Sequence, residues 1–123
     1  MIFTGQELSA ILKMAMAIAA SDGHISSEET ALMAIELMRF GVDEEKTKII
    51  SSKAANLDFA EACVTISKMT NEEKKYVTAY LGTIICADGK IEDSEIKTWA
   101  LVTTICDLPK MSLREAIELM GKL

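Results

Sequence analysis

An eight-residue pattern, Asp-Gly-x-Ile-x-x-x-Glu, occurs twice in this chain, from Asp22 to Glu29 and from Asp88 to Glu95. The register between the copies is constant, since 88 − 22 and 95 − 29 are both 66. The flanks keep the same register. Ile11, Met14, Ala15, Ile18 and Ala19 fall on Val77, Tyr80, Leu81, Ile84 and Ile85, and Met33 and Ala34 fall on Trp99 and Ala100. Apolar positions at helical spacing on both sides of a repeated glycine turn define a helix–turn–helix unit present in two diverged copies. No stretch alternates apolar and polar residues as a strand would. The pattern predicts an all-α fold, a seven-helix bundle of two pseudo-symmetric repeats with no sheet. One domain spans 1–123, with repeat 1 over about 4–55, a linking helix over about 56–69 and repeat 2 over about 70–123.

The helices are punctuated by their caps. Thr4/Glu7, Ser26/Glu29, Asp58/Glu61, Thr70/Glu73 and Ser112/Glu115 all have capping-box spacing. The predicted helices run over about 5–21, from Ser26 to Gly41, from Asp43 through Ala54, over 56–69, from Thr70 to Ala87, over 93–106 and from Ser112 to the C-terminus. Helix 2 presents Leu32, Met33, Ile35, Leu37 and Met38, and helix 4 turns Phe59, Ala62, Cys63 and Ile66 inward. Ile25 and Ile91 are expected to tuck into the core. The near-continuous apolar run from Tyr80 to Ala87 predicts a helix buried almost all round. The third helix of each unit aligns loosely, because the spacing slips near Pro109.

Composition narrows the function. A net charge of −6 on 123 residues disfavours nucleic acid and anionic membrane surfaces, which need a basic patch. Cations and basic protein surfaces are the favoured partners. Met14 to Ala20, the most apolar run, is far shorter than a membrane span, so no direct membrane insertion is expected. The N-terminus lacks a positive n-region and is not expected to act as a secretory signal. Cys63, Cys86 and Cys106 lack Cys-x-x-Cys spacing and read as reduced core thiols of a cytoplasmic protein. The eight methionines read mainly as core filling. With a single histidine, His24, and no nucleophile–base motif, the chain reads as non-enzymatic.

The repeated turn carries what chemistry there is. Its aspartate, glycine, isoleucine and glutamate match positions 5, 6, 8 and 12 of an EF-hand loop, but positions 1 and 3 are Ile18 and Ala20 in one copy, Ile84 and Cys86 in the other. Each loop thus offers two carboxylates where calcium takes six to eight oxygens, and neither is a working EF-hand. If the repeats pack about a pseudo-two-fold axis near the turns, Asp22, Glu29, Asp88 and Glu95 converge on an open acidic site fit for one divalent metal ion. Glu28, Glu92 and Asp93 add to its field. The same residues have a structural reading: Glu29 closes a capping box on Ser26, and aspartate before glycine bonds its own turn.

The twin turn in an acidic all-helical chain of this length resembles the TerB-like tellurite-resistance family, whose domain also occurs in some DnaJ-like membrane co-chaperones. The resemblance covers nearly the whole chain. It implies a compact bundle of two pseudo-symmetric halves. The implied role is non-catalytic, as a binding or scaffolding module in stress response or tellurite resistance, with a protein partner met through an acidic surface. That acidic feature falls on Asp22, Glu29, Asp88 and Glu95. Glu92 departs from the small capping residue usual in the family. These residues contain no recognisable membrane anchor or J-domain, so the co-chaperone role is not expected to carry over.

Overall fold

A computed structural model describes residues 2–122. Among these residues there are seven α-helices and no strand: α1 Gly5–Ala19, α2 Ser27–Arg39, α3 Glu44–Asn56, α4 Phe59–Ser67, α5 Asn71–Ile85, α6 Asp93–Ile105 and α7 Leu113–Lys122. The expected all-α bundle is what forms. The 66-residue register holds at both ends of the first two helices of each unit, Gly5–Ala19 on Asn71–Ile85 and Ser27–Arg39 on Asp93–Ile105. It fails at the third, where α7 starts 69 residues after α3 (113 − 44). Leu123, the last residue expected in α7, lies outside the described residues.

Caps account for most boundaries. Full capping boxes form at Thr4/Glu7, Ser26/Glu29 and Thr70/Glu73, and Ser112 and Glu115 exchange the same pair of bonds before α7. Asp43 caps α3 by accepting from the Lys46 N–H at 2.8 Å. Asp58 makes no side-chain cap bond, so the box expected with Glu61 is absent. The linking helix is shorter than expected because Asn56 still belongs to α3, and the extended Leu57 and Asp58 separate it from α4. Helix 1 also stops early. After Ala19 the chain tightens into a 3-10 turn over Ala20–Asp22, which Gly23 ends in the left-handed region at φ 102°.

α1 and α5 form the centre of the bundle. Met14, Ala15, Ile18 and Ala19 of α1 and Val77, Ala79, Leu81, Ile84 and Ile85 of α5 are wholly buried. α1 packs on α3, α4 and α5, while α5 packs most extensively on α7. α2 is more peripheral. Met33 and Leu37 are buried, but Ile35 and Met38 are 54% and 69% exposed, which corrects their expected place in the core. α4 buries Ala62 and Ile66, with Phe59 and Cys63 half-buried.

One buried polar network joins α2 to α5. The Tyr76 hydroxyl donates to Glu36 Oε2, and Arg39 Nη1 donates to Glu36 Oε1 at 2.7 Å. Burial, then the bond to Glu36, pushes the Tyr76 hydroxyl far above its ordinary pKa, so it stays a donor. Phe3, Phe40 and Tyr80 pack around the Tyr76 ring with centroids 5.2–6.0 Å apart. Both oxygens of this buried carboxylate are satisfied. Tyr76→Phe leaves Glu36 Oε2 without its donor and is expected to destabilise the protein by about 1–3 kcal/mol in denaturant unfolding.

Candidate functional site

The two turns are built alike. Asp22 Oδ1 accepts from the His24 N–H at 3.2 Å, and Asp88 Oδ1 accepts from the Lys90 N–H at 3.0 Å. Gly23 and Gly89 follow with positive φ. Each aspartate therefore bonds its own turn through one oxygen, as the structural reading expects. The 3-10 turn of the first unit packs on α6 of the second, which brings the halves together here.

Glu29 and Glu95 lie beneath the turns and are 4% and 3% exposed. Glu29 Oε1 accepts from the Ser26 N–H at 2.9 Å, completing its box. Glu95 has no such task, since Glu92 makes no side-chain cap bond. Glu29 Oε2 and Glu95 Oε2 are both buried with no hydrogen-bond partner. Burial comes first in raising the Glu95 carboxyl to about 8, followed by the close Glu29 carboxylate and then the charges of Asp22 and Asp88. The charges of Glu29, Asp22 and Asp88 thus all act on the buried Glu95. Among the described residues no group of three or more His, Cys, Asp and Glu side chains could hold a metal ion.

The contrast with Glu36 is informative. That buried glutamate has a donor on each oxygen. For Glu29 and Glu95, one proton or one cation is what can relieve two carboxylates buried away from water. The elements around it are acidic and open: Glu28, Glu92 and Asp93 are exposed. His24 is on the rim with its ring 76% exposed, 3.7 Å from Asp22 Oδ1. Ile25 and Ile91 are 38% and 57% exposed, against the expectation that they enter the core. They stand just before the caps of α2 and α6, where an apolar residue staples to the fourth helical position. That position is Ile96 in the second unit but Thr30 in the first.

Cys86 belongs to this neighbourhood, although the sequence placed it with the core thiols. It is half-buried at the C-cap of α5. Burial, and then the nearby Glu95 charge, raises its thiol pKa. The signal that could have found it is its register, two residues before Asp88. A shallow groove of about 630 Å³ along Thr4, Glu7, Glu61, Val64 and Lys68 lies on a separate set of residues. No helix among the described residues is long and apolar enough to cross a membrane.

Fold and turns together define a class: an all-helical domain of two repeated units, each carrying the same aspartate–glycine turn. The crystal structure of a protein of unknown function from Porphyromonas gingivalis has this fold, with a TM-score of 0.87 and 41% sequence identity. The match covers 100% of this chain and 99% of that one, so the chain belongs to the same family as that protein. No protein-family model matches the chain, and no curated protein does.

Proposed function

We propose that the protein is a binding module whose twin turns take up a divalent cation. The observation that carries this reading is the pair of buried, unpartnered oxygens, Glu29 Oε2 and Glu95 Oε2, one from each repeat. A cation there replaces the proton that Glu95 holds. Asp22 and Asp88 act on it through their field and through water, as carboxylates commonly do around hydrated divalent ions. The role is non-enzymatic and cytoplasmic, and the reduced thiols support that setting. The resemblance to TerB-like domains adds stress response or tellurite resistance as the process served.

Calorimetric titration of the metal-stripped protein with calcium, manganese and zinc tests this. Wild type is expected to bind at least one of them with Kd on the order of micromolar. Glu29→Gln/Glu95→Gln is expected to abolish binding, and Asp22→Asn/Asp88→Asn to weaken it about tenfold or more. Wild-type protein that binds none of the three sinks the reading.

A protein partner is the second reading, favoured by exposed Ile25 and Ile91 beside the acidic rim. Binding of that kind survives Asp22→Asn/Asp88→Asn and is lost when both isoleucines become serine. Retention after the isoleucine changes counts against it.

A further inference from the structure

We propose that the outward face of α2 joins two copies of this chain, as an antiparallel pair of α2 helices about a two-fold axis. The inference goes beyond the cation reading and does not depend on it.

Three observations carry it. The first is that α2 is apolar on both sides. Met33 and Leu37 face the bundle and are buried. The exposed positions from 31 to 38 are nonetheless Ala31, Ala34, Ile35 and Met38, spaced i, i+3, i+4 and i+7. A surface helix ordinarily turns a polar face to water, and this spacing is that of a seam between two helices. The two alanines let a second helix approach closely.

The second is charge. Of the charged side chains on α2, Glu29 and Glu36 are buried, while Glu28 and Arg39 are exposed near opposite ends. Eleven residues separate them, about three turns, so both lie on the same edge of the apolar stripe. A two-fold axis between antiparallel helices reverses the order of residues and keeps each on its own edge. Glu28 of one copy then meets Arg39 of the other, twice. A parallel pair would set like charge on like charge, and the helix dipoles favour the antiparallel arrangement as well. Exposed ion pairs contribute little energy, so they select the orientation while the apolar stripe supplies the attraction. On this face Glu28 and Arg39 cancel, whereas the whole chain carries −6. That balance suits a second copy better than a basic partner.

The third is the contrast with α6. In the 66-residue register Ala31, Ala34, Ile35 and Met38 fall on Lys97, Ala100, Leu101 and Thr104. A lysine and a threonine break the stripe there, and Ser94 and Ile105 stand in place of Glu28 and Arg39. Leu101 is as exposed as Ile35, yet its helix lacks the rest of a self-complementary face.

One helix face from each copy is small for an interface, so a Kd on the order of 10–100 μM is expected. Sedimentation velocity of the full chain in metal-free buffer, over concentrations spanning about a hundredfold around that value, tests it. Wild type should pass from monomer to dimer. Ile35→Ser/Met38→Ser should stay monomeric and remain folded by circular dichroism, because both side chains are exposed. Leu101→Ser, the equivalent change on α6, should dimerise like wild type. Glu28→Arg sets an arginine against Arg39 at both ends of the seam and should weaken the dimer about fivefold or more. It decides the matter alone should the double serine variant fail to fold. Wild type that is monomeric throughout overturns the inference, as does a dimer that survives the serine changes. A dimer lost in Leu101→Ser overturns it by placing the interface on α6, and equal affinity in Glu28→Arg overturns the antiparallel pair.

Discussion

In the metal-free protein, Glu95→Gln is expected to raise stability at pH 9 and leave it nearly unchanged near pH 4. The sign follows from proton linkage. The folded Glu95 carboxyl titrates at about 8, above the ordinary glutamate range. Between those values the folded state keeps a proton that the unfolded chain has released. Stability is therefore fully present below the unfolded value and drains away as pH rises through about 8. Glutamine cannot ionise, and its amide offers Glu29 a donor. Each pH unit of the window is worth up to about 1.4 kcal/mol, and water entering between two ionised glutamates recovers part of this. A net gain of about 2 kcal/mol, or roughly 5–10 °C in Tm at pH 9, is the expectation. Melting both proteins from pH 4 to pH 9 measures the difference directly, since other titrating groups cancel between them. Parallel profiles would mean that the two glutamates do not press on each other.

That pair shows where the sequence was legible and where it was not. Two copies of one turn in constant register were enough to place α1, α2, α5 and α6, because helical periodicity and capping act locally. The symmetry of the repeats gave the expectation that Asp22, Glu29, Asp88 and Glu95 converge. Their division into a buried pair and an exposed pair did not follow from it. It depends on Glu92 failing to engage Glu95 in a box, and on how deeply the first turn settles against α6. The third helices were less legible, since the chain around Asp107, at φ 56°, and Pro109 takes three extra residues to start α7. Ile25 and Ile91 misled because apolar character was read as burial, and Ile91 is the more exposed of the two although Ile96 stands at its staple position. The Glu36–Tyr76 bond joins residues 40 apart on different helices. Periodicity says which face a residue takes, but not which side chain it meets there.

Gly82→Ala is expected to destabilise the protein by about 1–3 kcal/mol, although the same change in an open helix gains up to about 1 kcal/mol. A Cβ at position 82 would stand 2.8 Å from the Ala116 Cβ and 2.9 Å from Trp99 Cζ2. Neither neighbour can swing aside. The Ala116 Cβ is fixed to the α7 backbone, and the Trp99 ring is held by its Nε1, which donates to the Thr78 carbonyl at 3.1 Å. α7 or α6 must therefore move, and overpacking outweighs propensity. Gly82→Val adds two more methyl groups and should cost more than either estimate. Gly121→Ala, whose Cβ meets nothing within 4 Å, is the control and should be neutral or slightly stabilising. Gly82→Ala/Ala116→Gly removes one of the two clashes and should recover part of the loss, a coupling that denaturant unfolding of the four proteins resolves. The consequence reaches the centre. Trp99 lies one helical turn after Glu95 on α6, so a ring pushed off α5 carries Glu95 with it. Folded Gly82→Ala protein should then show the Glu95 pH effect reduced, whereas an unchanged pH profile would mean that the strain is absorbed entirely by α7.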